Sequence, residues 1–266
     1  MVREADPDRF MSALFAPAAK RQSLFALYAF NTEIARIAEN VSQPMLGEIR
    51  LQWWRETVEA AKAGNPRDHD IARALAETFV TTDLPFAPFD AMLDARVFDS
   101  TPDAFETLDG LEDYADVTSG NLMRLAARVL DGTEHDELAR HAGIAYALAG
   151  LVRAIPFHAA RRKLYLPMLL LSEAGLGIEE VFAGRGQEKL RIVIAALAAR
   201  VRHHLAIARS LPKSRRALAA FLPAATAPLY MRIATAPDFD PFRTAIDVPM
   251  YRRQLAMLRA NLRGTL

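Results

Sequence analysis

Residues 143–152 read Gly-Ile-Ala-Tyr-Ala-Leu-Ala-Gly-Leu-Val, a run without any charged side chain. A helix that is apolar on all sides is buried on all sides, so this run predicts a central helix, over 134–158. Apolar residues recur at helical spacing on both sides of it, in the segments 18–40, 44–64, 70–81, 88–98, 108–130, 188–211 and 249–263. Alanine and leucine dominate, and no alternating pattern indicates strands. The sequence therefore predicts a single all-α domain, a helical bundle over residues 1–266.

Composition narrows the classes of site that the chain can contain. It has no cysteine, which excludes disulfides and thiolate metal sites. Residues 186–266 carry 14 Lys and Arg against 4 Asp and Glu, whereas residues 1–185 carry 19 against 28. The basic C-terminal third suits an anionic lipid, an acidic partner or a diphosphate, or it merely solvates an alanine-rich surface. No basic run interleaved with aromatic residues indicates nucleic acid binding.

Targeting signals are not evident in the sequence. The N-terminus carries Glu4 and Asp6 and lacks an apolar stretch, so no secretory signal is predicted. No window reaches the roughly 20 apolar residues that span a bilayer. We expect a bacterial protein that is located in the cytoplasm. Peripheral attachment to the inner membrane is the alternative location.

Local motifs alone indicate little chemistry. The chain has no Gly-rich phosphate loop, no nucleophile elbow and no zinc-ligand spacing. His158 precedes the basic run 161–163, which suits either an anion or a charge that complements a helix C-terminus. Trp53 and Trp54 are neighbours on a helix, so one packs in the core while the other lines a groove or stacks on arginine, or both are core.

Several segments together resemble one family. They are Leu-Phe-Ala-Leu-Tyr-Ala-Phe at 24–30, Leu-Gln-Trp-Trp-Arg at 51–55, Tyr114-Ala115 with Gly120, and the stretch 143–167 that ends in Tyr-Leu-Pro. They occur in the order and spacing of the squalene/phytoene synthase family, over nearly the whole chain. The resemblance implies an isoprenoid-synthase-like helical bundle around a central cavity. In this family two prenyl diphosphates are condensed, with magnesium held by aspartates on two facing helices.

The chain departs from the family at those aspartates. The first motif is replaced by Ala35, Arg36 and Glu39, and the second by Ala154 and His158. We therefore predict no metal, no cofactor and no assignable catalytic residue. The positions that match the family predict a cavity or ligand site, and they are Tyr28, Arg36, Glu39, Trp54, Tyr114, Arg153, His158, Arg161 and Tyr165.

The run 153–163, Arg-Ala-Ile-Pro-Phe-His-Ala-Ala-Arg-Arg-Lys, is similar to a divergent branch of the family that acts in respiratory complex I assembly. The resemblance implies a catalytically degenerate protein that assists this assembly by binding a complex I subunit, an assembly partner, a lipid or a prenyl molecule. Two alternatives stay open. One is an active, magnesium-dependent prenyltransferase that uses Glu39, Tyr114 and the arginines, and the other is a lipid or quinone carrier.

Overall fold

Helices form almost the entire chain. A computed structural model describes residues 1–41 and 43–266, and within them the chain forms sixteen α-helices and no strand. The helices are α1 (Val2–Ala5), α2 (Pro7–Ala13), α3 (Ala18–Ala35), α4 (Pro44–Lys62), α5 (Asp70–Thr81), α6 (Ala87–Val97), α7 (Leu108–Ala115), α8 (Asn121–Asp131), α9 (Asp136–Arg153), α10 (Ile155–Ala160), α11 (Met168–Glu173), α12 (Ile178–Phe182), α13 (Gln187–Ser210), α14 (Leu218–Phe221), α15 (Ala227–Ala234) and α16 (Met250–Arg263). The all-α prediction is confirmed.

The apolar run lies on the central helix, α9, which packs against α8, α13 and α15. Ile144, Leu148 and Val152 are almost completely inaccessible to solvent, as expected for the middle of a bundle. Burial on all sides was the wrong expectation, however, because Ala147 and Gly150 are only half-buried. This remaining face lines a cavity. No helix in the described part of the chain is long and apolar enough to cross a membrane.

Two glycines bring α9 close to the neighbouring chain. Between α7 and α8 the residues Asp116–Gly120 form a turn of π-helix, so the predicted helix 108–130 is interrupted. A Cβ atom on Gly143 would lie 2.6 Å from the backbone of Gly120, nearer than packed atoms approach. The close crossing of α9 over this turn therefore requires glycine at 143.

The predicted helix 134–158 is broken into α9 and α10 at Ala154. Pro156 explains the break, since it has no N–H to donate to the carbonyl of Val152 and its ring would clash there. After this break, α10 contributes His158 to the cavity beside α9. Similarly, the predicted helix 18–40 ends at Ala35 and continues as a short 3₁₀ turn, Ala38–Asn40.

Candidate functional site

A cavity of about 720 Å³ lies on the half-buried face of α9. Its other walls are the C-terminal end of α3, the loop after α6, and α10 with the basic residues that follow it. Ala35, Ala38, Ala147 and Leu151 contribute apolar surface, and several walls contribute charged side chains, which include Arg9, Glu39, Asp99, Arg153 and Arg161. A ligand with both an apolar and a charged part would match this lining.

Most of the predicted site residues meet in this cavity. Those that line it are Glu39, Tyr114, Arg153, His158, Arg161 and Tyr165. Arg36 does not, because it follows Ala35 by about 100° around the helix and is exposed, whereas Ala35 and Glu39 share the cavity side. Tyr28 is also outside the lining, since it is buried in the hydrophobic core, where burial raises the pKa of its hydroxyl to about 12.

The two tryptophans separate as one of the sequence interpretations proposed. Trp54 is 4% exposed and packs edge-on against Phe30 with their ring centroids 5.6 Å apart. It therefore belongs to the core and not to the described cavity lining, contrary to its assignment as a ligand-binding position. Trp53 is exposed, with the guanidinium of Arg67 5.4 Å from its ring centroid.

Asp99 is the centre of the cavity's hydrogen-bond network, although no sequence motif indicates it. Tyr114 and Tyr165 each donate a hydroxyl hydrogen bond of 2.7 Å to its Oδ1, while Arg96 Nη1 donates to its Oδ2 at 3.0 Å. The Asp99 side chain is only 4% exposed. Burial, followed by the neighbouring Tyr114 and then the Asp99 carboxylate, raises the pKa of the Tyr165 hydroxyl, and burial also raises the pKa of Tyr114, so both tyrosines stay protonated donors.

Lys163 fixes the loop that carries Asp99. Its ammonium donates to the carbonyls of Phe98, Thr101 and Asp103 at 2.7, 2.8 and 3.0 Å. Burial lowers the pKa of this amine to about 8, which keeps it mostly charged near neutral pH. The basic run 161–163 marked Lys163 in the sequence, but no local pattern connects it to residues 60 positions earlier.

Uncompensated positive charge remains at the cavity wall. Arg153 and Arg161 have no carboxylate within ion-pair distance among the described residues. Their guanidinium groups instead lie 4.0 Å from the ring centroid of Tyr230 and 3.8 Å from that of Phe157. By contrast, Arg162 pairs with Glu179 on the exposed surface. Two free guanidinium groups beside one cavity favour an anionic group in it.

The residues present do not fit the magnesium site that the family resemblance implies. Magnesium requires near-octahedral oxygen ligands, and in such sites several carboxylates supply them. In the chain as described, no group of three or more Asp, Glu or His side chains is placed to hold a metal ion. Both oxygens of Asp99 already accept hydrogen bonds, and Glu39 is exposed at the cavity edge.

We expect His158 to make the stability of the protein depend on pH. Burial lowers the pKa of its imidazole to about 4, against an ordinary value of 6.5. Between these values the unfolded chain binds a proton that the folded chain does not, so stability falls as the pH drops from 6.5 to 4. We expect this group to contribute a loss of about 3 kcal/mol in the free energy of unfolding.

Urea unfolding of the wild type at about pH 7 and about pH 4 measures this loss. In His158→Gln the difference between the two pH values should shrink by most of that amount. His203 is exposed on α13, so His203→Gln is the matched control and should leave the difference unchanged. Equal pH dependence in wild type and His158→Gln would contradict the prediction.

Comparison with known proteins agrees with this architecture. A family model described as squalene/phytoene synthase matches residues 2–255. The chain is 31% identical, over 94% of its length and 78% of the relative's, to human NADH dehydrogenase (ubiquinone) complex I, assembly factor 6. It is 23% identical to the 15-cis-phytoene synthase of Synechococcus elongatus, over 96% of this chain and 88% of that one.

A solved dehydrosqualene synthase in complex with a ligand has the same fold. Its TM-score is 0.79 at 20% sequence identity, and the match covers 99% of this chain and 94% of the other. The family model covers almost the whole chain, including every segment that lines the cavity. The chain belongs to the squalene/phytoene synthase family.

Proposed function

We propose that this protein assists the assembly of respiratory complex I, at the inner face of the membrane, by binding a partner or a ligand and without prenyl transfer. The observation that carries the proposal is its similarity to assembly factor 6 across nearly the whole chain. The sequence supports the second part, because Ala35, Arg36, Ala154 and His158 stand where the family's aspartates are expected. Without those carboxylates, the charge of a departing diphosphate has no dication to neutralise it.

Deletion of the gene in its own organism tests the assembly role. We expect the amount of assembled complex I and its NADH oxidation to fall, and a plasmid copy of the wild-type gene to restore both. The amount and activity of another respiratory complex, measured in the same membranes, serve as the control. Normal complex I in the deletion strain would contradict the role.

Incubation of the protein with magnesium and either farnesyl or geranylgeranyl diphosphate tests the proposed absence of prenyl transfer. We expect no diphosphate release above the background without protein. Steady turnover would overturn the proposal and favour the active prenyltransferase. Tyr114, Arg153 and Tyr165 would then be the first residues to replace, because they match the family and line the cavity.

We infer that the cavity holds a molecule with an anionic group and an apolar chain, such as a lipid or a prenyl compound. Arg153 and Arg161 would bind the anionic group, since neither is neutralised by a carboxylate of the described chain. Ala35 on α3, together with Ala147 and Leu151 on α9, would contact the apolar chain of the ligand. Native mass spectrometry of the purified protein should detect a retained apolar ligand, and detection of the unliganded mass alone would count against this inference.

The arginines give a quantitative prediction. Farnesyl diphosphate serves as the probe, titrated into the protein without magnesium. Each of Arg153→Gln and Arg161→Gln should weaken its binding by about tenfold, because each removes a hydrogen bond between charged groups. Arg191, exposed on α13 and away from the cavity, supplies the control Arg191→Gln. The prediction fails if all three variants bind the probe as the wild type does.

A further inference from the structure

The outer face of α16 is apolar, although it faces solvent. Tyr251, Leu255, Leu258 and Leu262 are 62, 40, 42 and 66% exposed. They occupy positions i, i+4, i+7 and i+11, so they form one stripe along the helix, here called the α16 stripe. A surface helix ordinarily turns such a stripe towards the core. Here the core side is a different face, formed by Met257 and Ala260.

Positive charge borders the α16 stripe on one side. Arg252, Arg259 and Arg263 are spaced i, i+7 and i+11, which places them in a parallel row next to the apolar residues. All three are exposed, and none forms an ion pair within the described residues. The helix contains no Asp or Glu. The combined surface is therefore apolar and cationic, with no acidic side chain of its own.

Contacts with the rest of the protein hold this face outward. Arg253, on the core side of α16, donates from Nη1 to the buried carboxylate of Asp8 at 2.8 Å. At the other end, Arg215 Nη1 donates to the carbonyl of Asn261 at 3.1 Å, which satisfies part of the helix C-terminus. The helix is thus tied down at both ends, and the α16 stripe is presented without rearrangement.

We propose that the α16 stripe docks on a bilayer surface that carries anionic headgroups. The leucines and Tyr251 would enter the boundary between headgroups and acyl chains, and the row of arginines would bind lipid phosphates. Charge complementarity favours this occupant, since the face is uniformly positive and anionic lipid supplies a continuous negative surface. The family match ends at residue 255, so most of this helix lies beyond it. This docking surface would explain how the protein stays at the membrane named in the proposed function. It rests on the proposed function only for that location.

Flotation of the full chain with vesicles tests the docking surface. We expect it to bind vesicles of phosphatidylcholine mixed with an equal amount of phosphatidylglycerol, to bind vesicles of phosphatidylcholine alone weakly, and to be released by high salt. Changing Arg252, Arg259 and Arg263 together to Gln should reduce binding on the order of a hundredfold. Changing Leu255, Leu258 and Leu262 together to Ser should reduce it by at least about tenfold.

Matched controls separate docking from folding. Ile192 is 60% exposed on α13 beside the exposed Arg191, so Ile192→Ser with Arg191→Gln alters the same residue types elsewhere. This control should bind vesicles normally, and all variants should keep the wild-type melting temperature because the altered side chains are exposed. Binding that is absent in the wild type, or unchanged in the leucine variant, would overturn the inference.

A protein partner on the α16 stripe would give a different result. The leucine variant would then lower complex I assembly while vesicle binding stayed at the wild-type level, and this too would overturn the inference. Failure of the proposed function is separate from both. It would appear as normal complex I in the deletion strain, whatever the purified protein does with vesicles.

Discussion

We expect Asp8→Ala to lower the free energy of unfolding by about 4 kcal/mol and the melting temperature by on the order of 10 °C. The Asp8 side chain is 2% exposed and accepts a hydrogen bond of 2.8 Å from Arg253. Its other oxygen accepts from the hydroxyls of Tyr230 and Thr226. Removing the carboxylate leaves Arg253, itself 13% exposed, as an unpaired buried charge. The expected loss of stability is large because the contacts of Asp8 join α2 to α15 and α16.

Two comparisons isolate the cause. Asp68 is fully exposed and pairs with Arg73 on the surface, so Asp68→Ala should cost less than about 1 kcal/mol. Replacing the pair together, Asp8→Leu with Arg253→Met, should recover most of the loss, because no charge is then stranded. Urea unfolding followed by circular dichroism measures all three proteins. Equal stability of Asp8→Ala and Asp68→Ala would contradict the role of the buried pair.

The second large effect should follow from Asp99→Ala. This change strands the Arg96 guanidinium, 14% exposed, and removes the shared acceptor of Tyr114 and Tyr165. We expect a loss of about 3–5 kcal/mol in the free energy of unfolding. Because both tyrosines line the cavity, the variant should also bind farnesyl diphosphate more weakly than the wild type, at a temperature where both are folded.

Asp99→Asn tests whether charge or shape matters. The amide keeps one acceptor but places an NH₂ group against buried donors. We therefore expect the free energy of unfolding to fall by about 2 kcal/mol, which places Asp99→Asn between Asp99→Ala and the wild type. Asp113 is exposed on α7 and has no ion pair in the described chain, which makes Asp113→Ala the control. Near wild-type stability of Asp99→Ala would show that the network around the cavity is dispensable.

The cavity shows how far motif positions predict a site. Glu39, Arg153 and His158 line it as the family resemblance predicts, because each follows a helical register that the sequence sets locally. Arg36 does not, since one residue along a helix turns a side chain about 100° away from Ala35, and Trp54 lies in the core instead. A match to a motif identifies the helix, and the rotation of that helix decides which of its residues reach the ligand.

Local sequence determined the helices and the central position of residues 143–152, because helical period, proline and apolar content act over neighbouring residues. Only the tertiary structure showed that Asp99 accepts from Tyr165, and that Asp8 pairs with Arg253, 245 residues away. It also decided which face of α16 stays exposed. These contacts depend on where distant helices meet, and no short pattern encodes that. A charged side chain that is buried where helices meet destabilises the folded state unless it is paired. The fold therefore requires these pairs, and the pairs form only when the fold brings their helices together.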